Sequence, residues 1–195
     1  MKKIAVFVSG GGSNLQSIID QTKNGILKNL AAVSLVISNN PSAFALQRAK
    51  KEKIKSLFIK NSDEKVLQEL KISQIDLICL AGYMSLISSK IIDVYNNRIL
   101  NIHPSLLPKF GGKKMYGHYV HQAVIKAGEK KSGATVHFVD ENYDTGKIII
   151  QKEIPVFEND TSEILAKRVL EIEHKIYPEA IKSVILKMSD NEQKR

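Results

Sequence analysis

Ile4-Ala5-Val6-Phe7-Val8-Ser9-Gly10-Gly11-Gly12-Ser13-Asn14-Leu15-Gln16 joins five consecutive apolar residues to a glycine-rich turn and then to a helical pattern. An unbroken apolar run suits a strand covered on both faces, which is the situation of strands in parallel sheets flanked by helices. Glycines let the backbone come close to a ligand. Free N–H groups at the head of the following helix favour an anion such as phosphate. Ser13 and Gln16 stand at the spacing of a capping box, so the Ser13 hydroxyl is expected to open the helix. A glycine turn with no ligand is the alternative reading.

The same alternation continues outward. Ala32–Ile37, Lys55–Ile59 and Ile75–Ala81 read as further strands, and Asn14–Lys23, Ala43–Lys51 and Asp63–Lys71 as the helices between them. A βαβαβαβ order predicts a parallel, doubly wound sheet. The second half changes character. Gly133–Asp140 alternates apolar and polar residues, Glu141 to Gly146 supplies a turn, and Lys147–Val156 reads as a returning strand. That is the signature of an antiparallel hairpin. Asp160-Thr161-Ser162-Glu163 offers helix caps, and a long amphipathic helix runs toward Lys187. Pro178 is expected to break or kink it, and Ser189–Arg195 to fray. The expected fold is a single α/β domain with a Rossmann-like open twisted sheet, mostly parallel, carrying a C-terminal antiparallel hairpin. Residues 1–100 would form a nucleotide- or phosphate-binding βα half, 101–187 the half that carries the chemistry, and 188–195 a polar tail.

Composition narrows the partners. Among 195 residues, 29 Lys and Arg face 20 Asp and Glu, a formal charge of +9. The lysines are scattered, with no run of five basic residues, so nucleic acid is not expected. A solvated basic surface is compatible with a small anionic substrate. No apolar run is long enough to span a membrane. Met1-Lys2-Lys3 leads straight into a short strand rather than a secretory signal, and a cytoplasmic location is expected. Cys79 is the only cysteine and sits in Leu77-Ile78-Cys79-Leu80-Ala81, the setting of a buried, inert thiol.

Chemistry concentrates in Leu100-Asn101-Ile102-His103-Pro104-Ser105-Leu106-Leu107-Pro108. In an extended segment, residues i and i+2 face the same way, so the Asn101 amide and the His103 imidazole share one side. Pro104 disfavours helix at His103. A carboxamide beside a histidine suits chemistry on a carbonyl, one group holding an oxyanion and the other moving a proton. A rigid turn with a surface His and Asn is the plain alternative. Asp144, in the hairpin turn, either caps that turn or reaches a histidine. Gly82-Tyr83-Met84 follows the fourth strand, where open α/β sheets bind ligands. The glycine loop is not a dinucleotide fingerprint: Leu15 stands at the third glycine, and Ser38-Asn39-Asn40 supplies no acid after the second strand. It is not a Walker loop either, since no Gly-Lys-Ser/Thr follows. His118 and His121 share a helical face, but no further ligand accompanies them and a metal is not expected.

Taken together, these motifs resemble the phosphoribosylglycinamide formyltransferases, a branch of the folate-dependent formyltransferase family. The resemblance runs from Lys2 to about Ile185. It rests on Ser9 to Gln16, Leu80-Ala81-Gly82-Tyr83-Met84, Asn101 to Pro108, Gly133-Ala134-Thr135-Val136-His137-Phe138-Val139 and Glu173-His174-Lys175-Ile176-Tyr177-Pro178. It implies the formyltransferase fold, with residues 101–187 also binding folate. The implied activity is transfer of the formyl group of 10-formyltetrahydrofolate, a co-substrate, to the amine of N1-(5-phospho-D-ribosyl)glycinamide in purine biosynthesis, without a metal. By motif, Asn101, His103 and Asp144 would be the catalytic trio, Asn101 and protonated His103 stabilising the oxyanion and Asp144 raising the pKa of His103. Gly12, Ser13 and Asn14 would bind the ribonucleotide phosphate, and Glu173 its ribose. Met84, Ser85, Leu86, Ile87 and Asn101 would meet the folate. Small-molecule partners, no nucleic acid or membrane, and a monomer or homodimer complete the expectation.

The chain departs from the family pattern in places. Ser85 stands where many members carry Arg, residues 110–117 are longer than in some members, and residues 61–74 are shorter, so no basic residue is assigned to the folate tail beyond Lys65 as a guess. Among other folate-dependent formyltransferases, methionyl-tRNA formyltransferase shares the fold and the Asn-x-His-Pro motif, and formyltetrahydrofolate hydrolase is a second alternative. The first would be expected to continue into a C-terminal tRNA-binding domain and the second to carry an N-terminal regulatory one. A nonenzymatic phosphate- or nucleic-acid-binding module is the remaining alternative, and steep salt dependence would mark it.

Overall fold

A computed structural model describes the backbone of residues 1–193 and the side chains of residues 1–190. Two compact units emerge: Met1–Ser85 together with the chain from Tyr177 onward, and Leu86–Ile176.

The first unit contains β1 (Lys2–Val8), α1 (Ser13–Asn24), β2 (Ala31–Ser38), α2 (Phe44–Lys51), β3 (Lys55–Phe58), α3 (Asp63–Ile72) and β4 (Leu77–Leu80). Its strands lie in the order β3-β2-β1-β4, and each neighbouring pair is parallel. The chain steps outward from β1 to β3 and then returns to the other side of β1. That reversal is the place where such sheets bind ligands, outside the carboxyl ends of the strands on either side of it. The loop after β1 and the Gly82–Ser85 segment after β4 both lie there. Ile4 to Val8 are at most 1% exposed, as their unbroken apolar run requires. Each large side chain so buried contributes about 1.5–3 kcal/mol. The edge strand β3 is short and partly exposed.

The expected capping box is absent. Gly12 is the N-cap of α1, in the left-handed region at φ 73°, and no side chain caps the helix. Ser13 is already helical, so its hydroxyl is not where a cap must be. The Gln16 amide turns instead to Asp20 at 3.0 Å.

The second unit holds α4 (Ser89–Val94), β5 (Ile99–His103), α5 (His118–Lys126), β6 (Lys131–Phe138) and β7 (Ile148–Pro155). Its strand order is β5-β6-β7, both pairs antiparallel. The expected hairpin is therefore present, with β6 beginning and ending two residues earlier than its alternation indicated. The last helix, α6 (Ser162–Gln193), is capped by Thr161, whose hydroxyl accepts from the Ile164 N–H at 3.3 Å. Of the expected break or kink, the break does not occur: Pro178 lies inside α6 without ending it. One backbone bond is forfeited there, but Ile176, Tyr177, Ala180 and Ile181 are buried on both sides of it and hold the helical path. The expected frayed tail is likewise helical through Gln193, and its last two residues lie outside those described. Among the described residues no helix is long and apolar enough to cross a membrane.

Candidate active site

Three elements of the second unit meet at one cluster. Strand β5 carries Asn101 and His103 on one face, as the extended reading of the Asn-x-His-Pro segment requires. Antiparallel register then sets His137 of β6 opposite Asn101, and Thr135 opposite His103. Asp144 arrives from the β6–β7 turn with φ 58°, a left-handed conformation that Asp tolerates better than most residues.

The hydrogen bonds fix most of the protons. A carbonyl only accepts, so the 2.8 Å contact of His103 Nε2 with the Phe110 carbonyl places a proton on that nitrogen. By the same argument His137 Nδ1 donates to the Phe138 carbonyl at 2.8 Å. His137 Nε2 is then the acceptor for the Asn101 amide at 3.1 Å. The second Asn101 amide hydrogen goes to Asp144 Oδ1 at 3.2 Å. Asp144 Oδ2 accepts from the Gly112 N–H at 2.9 Å and lies 3.5 Å from His103 Nδ1.

His103 thus has an acceptor near each ring nitrogen, and only the imidazolium satisfies both. Burial opposes that charge. The ring is 4% exposed, and desolvation outweighs the Asp144 carboxylate and the Phe110 carbonyl, so its pKa lies below the ordinary imidazole value. Asp144 does raise the His103 pKa, as expected from the sequence, but burial outweighs it, so the protonated His103 of that reading is not favoured. For Asp144, burial pushes upward, but the neighbouring His137 ring, whose Nε2 lies 3.5 Å from Oδ1, the His103 ring and the Gly112 N–H together hold its pKa below the usual carboxylate value.

A second polar knot holds the turn that follows β5. The buried Thr135 hydroxyl donates to the Ser105 carbonyl at 2.6 Å and accepts from the Leu107 N–H at 3.2 Å. Gln151 donates to both Thr135 Oγ1 at 2.9 Å and the Leu107 carbonyl at 3.0 Å. Sequence reasoning missed His137, Thr135 and Gln151. Part of the signal was available: Thr135 and His137 are polar residues two apart in an alternating strand, but which residues they face depends on register, and Gln151 gave no signal.

The other expected site residues fall in both units. Gly12, Ser13 and Asn14 open α1 in the first unit. There the Met84 N–H donates to Ser9 Oγ at 2.8 Å, and Ser85 Oγ accepts from Asn39 Nδ2 at 2.7 Å. Met84 is largely exposed. In the second unit Leu86 is exposed, Ile87 is buried, and Glu173 is a buried acid on α6. His121 of α5 is also buried, and no group of three or more His, Cys, Asp or Glu is placed to hold a metal among the described residues. Cys79 is fully buried, and desolvation pushes its thiol pKa upward, consistent with an inert role.

Comparison with known proteins agrees with this geometry. The formyl transferase family model matches residues 2–181. Phosphoribosylglycinamide formyltransferase, chloroplastic, of Vigna unguiculata is 45% identical over 191 residues, covering 94% of this chain and 61% of that protein. The chain therefore spans less than two thirds of that relative's length. Phosphoribosylglycinamide formyltransferase of Bacillus subtilis (strain 168) is 38% identical, with 95% of each chain covered. The crystal structure of phosphoribosylglycinamide formyltransferase from Anaplasma phagocytophilum superimposes with a TM-score of 0.87 at 36% identity, covering 95% of this chain and 87% of that one. By sequence and by fold, the chain belongs to the formyl transferase family and, within it, to the phosphoribosylglycinamide formyltransferases.

Proposed function

We propose that the chain transfers the formyl group of 10-formyltetrahydrofolate to the amine of N1-(5-phospho-D-ribosyl)glycinamide, in purine biosynthesis. The observation that carries this reading is the amide–imidazole–carboxylate cluster of Asn101, the buried His103 and Asp144, in a member of this family. The substrate amine is the nucleophile, so no Ser or Cys of the protein need attack. The amine nitrogen bonds to the formyl carbon, and an oxyanion forms. His103 is uncharged at rest, which fits it to take the proton that the amine loses. The imidazolium so made lies against Asp144 Oδ2. It returns the proton to the folate nitrogen as the old carbon–nitrogen bond breaks. Such general base catalysis contributes about 10²–10⁴ in rate. Asn101 steadies the oxyanion, and His137 orients the Asn101 amide.

On this reading Gly12, Ser13 and Asn14 take the phosphate, Glu173 the ribose, and Met84 to Ile87 with Asn101 the folate. Both partners are small molecules, and the protein works in the cytoplasm as a monomer or homodimer. The test is a spectrophotometric deformylation assay with a 10-formyl folate, run with and without the ribonucleotide. Deformylation only with the ribonucleotide is expected. Deformylation without it would make the protein a hydrolase, and none in either case would remove the reading.

A further inference from the structure

The phosphate loop carries a feature that its glycines do not explain. Three successive carbonyls are held by one neighbouring segment, the one running from the end of β2 into α2. Asn40 Nδ2 donates to the Ser9 carbonyl at 3.0 Å. The Ala45 N–H donates to the Gly10 carbonyl at 3.1 Å. Arg48 Nε donates to the Gly11 carbonyl at 2.8 Å. The loop peptides are trans, and in a trans peptide the C=O and the following N–H point in opposite directions. Fixing three carbonyls toward α2 therefore turns the N–H groups of Gly10, Gly11 and Gly12 away from it. Among the described residues no protein group accepts from those three N–H groups. A Cβ at Gly10 or Gly11 would meet nothing within 4 Å, so the loop is open there. At Gly12 a Cβ would stand 2.6 Å from the Ala45 Cβ, so the loop is pressed against α2 on its carbonyl side.

We propose that Arg48, with Asn40 beside it, is a positioning residue for the phosphate: it grips the carbonyl side of the glycine loop and thereby presents the amide side. This inference rests on the phosphate assignment above. Arg48 is itself held, its guanidinium 5.0 Å from the Phe44 ring and Nη1 3.5 Å from Gln16 Oε1. It acts through the Gly11 carbonyl, not as a counter-charge to the ligand.

Two substitutions separate those roles. Arg48→Met removes the donor and the charge. Arg48→Gln removes the charge but keeps an N–H donor on the atom after Cδ, where Arg carries Nε. Loss of a hydrogen bond from a charged donor predicts an increase on the order of tenfold in the ribonucleotide KM of Arg48→Met, with kcat moving less. Amide resonances of Gly11 and Gly12 should shift in that variant with no ligand present, and inorganic phosphate should titrate more weakly. Arg48→Gln should restore the resonances and most of the affinity. Asn40→Ala provides an independent check, with the Gly10 resonance moving first. The proposal is overturned if Arg48→Met leaves the loop resonances in place, whatever its KM, or if Arg48→Gln is as impaired as Arg48→Met, which would make the charge decisive. Absence of ribonucleotide-dependent deformylation in the unmutated protein would instead overturn the functional reading. The loop resonances and the phosphate titration would still decide the role of Arg48.

Discussion

The glycine loop of the first unit and the His103 cluster of the second are both polar sites built at strand ends, yet they are made of different material. Main-chain N–H groups form the first, and they carry fixed partial charges whatever the pH. Side chains form the second, drawn from β5, β6 and the β6–β7 turn, and their charge state depends on burial. An anion site can be left open to water, because its donors cannot lose their protons. A proton-transfer site has to be enclosed, because enclosure is what tunes its acids and bases.

The largest expected effect tests that division. His103→Ala should slow formyl transfer by about 10³, with the ribonucleotide KM nearly unchanged. Single-turnover kinetics would separate chemistry from binding, and circular dichroism would verify the fold. A variant whose KM rose while its chemical step survived would erase the distinction between the two sites.

Contiguity decides how far this contrast was legible in the sequence. The loop from Ser9 to Asn14 and the alternation around it are local, so the parallel half could be read from runs of apolar residues. Asn101 and His103 were likewise legible as a pair, because i and i+2 share a face in any strand. His137 was not singled out, because its place opposite Asn101 depends on strand register, which spacing alone does not reveal. The burial that outweighs Asp144 at His103 was not legible for a similar reason. Asp144 does push that pKa upward, as any nearby carboxylate must, but the opposing desolvation arises from packing by residues far apart in the chain. The break expected at Pro178 is absent, because that expectation weighed intrinsic propensity without the tertiary contacts that override it.

Enclosure also has a stability signature, and it sits one helix away from the trio. His121 is 4% exposed, and burial above all, with the nearby His103 and His118 rings, pulls its pKa down to about 4 from 6.5. Between those values the unfolded chain binds a proton that the folded chain refuses. Stability is therefore full above pH 6.5 and falls as the pH drops toward 4, with this residue accounting for about 3 kcal/mol. Urea denaturation at pH 7 and pH 4.5 should show the loss. His121→Gln should flatten that part of the profile, and an unaltered slope would place the acid sensitivity elsewhere.

Asp144→Asn should have a somewhat smaller effect, about 10² in rate, because the His103 ring remains. An amide at this position sets an NH₂ group against either Asn101 Nδ2 or the Gly112 N–H, two donors that the carboxylate now accepts. It also removes the charge that raises the His103 pKa. On the proposed mechanism the ring accepts the amine proton unprotonated, so activity is expected to fall on the acid side of that pKa. In Asp144→Asn the acid limb of the pH–rate profile should move to lower pH. A limb that stayed in place would mean that Asp144 acts through geometry alone.

The smallest effect belongs to the loop, and its form is what sharpens the comparison. Gly12→Ala introduces a Cβ 2.6 Å from the Ala45 Cβ, at a residue with φ 73°. Strain of this kind costs about 1–3 kcal/mol. The loop can relieve it by moving off α2, which would loosen the grip of Ala45 and Arg48 on the Gly10 and Gly11 carbonyls. The expected result is a ribonucleotide KM raised about tenfold, an unchanged folate KM, and a pH–rate profile identical in shape to that of the unmutated protein. The shape is the informative quantity. Gly12 carries no titratable group and touches none of the His103 cluster's hydrogen bonds, so a main-chain site should change how much ligand is held without changing which protons move. A shifted acid limb in Gly12→Ala would show that the two sites are coupled, and that the division between fixed and tunable charge does not follow the division of the chain.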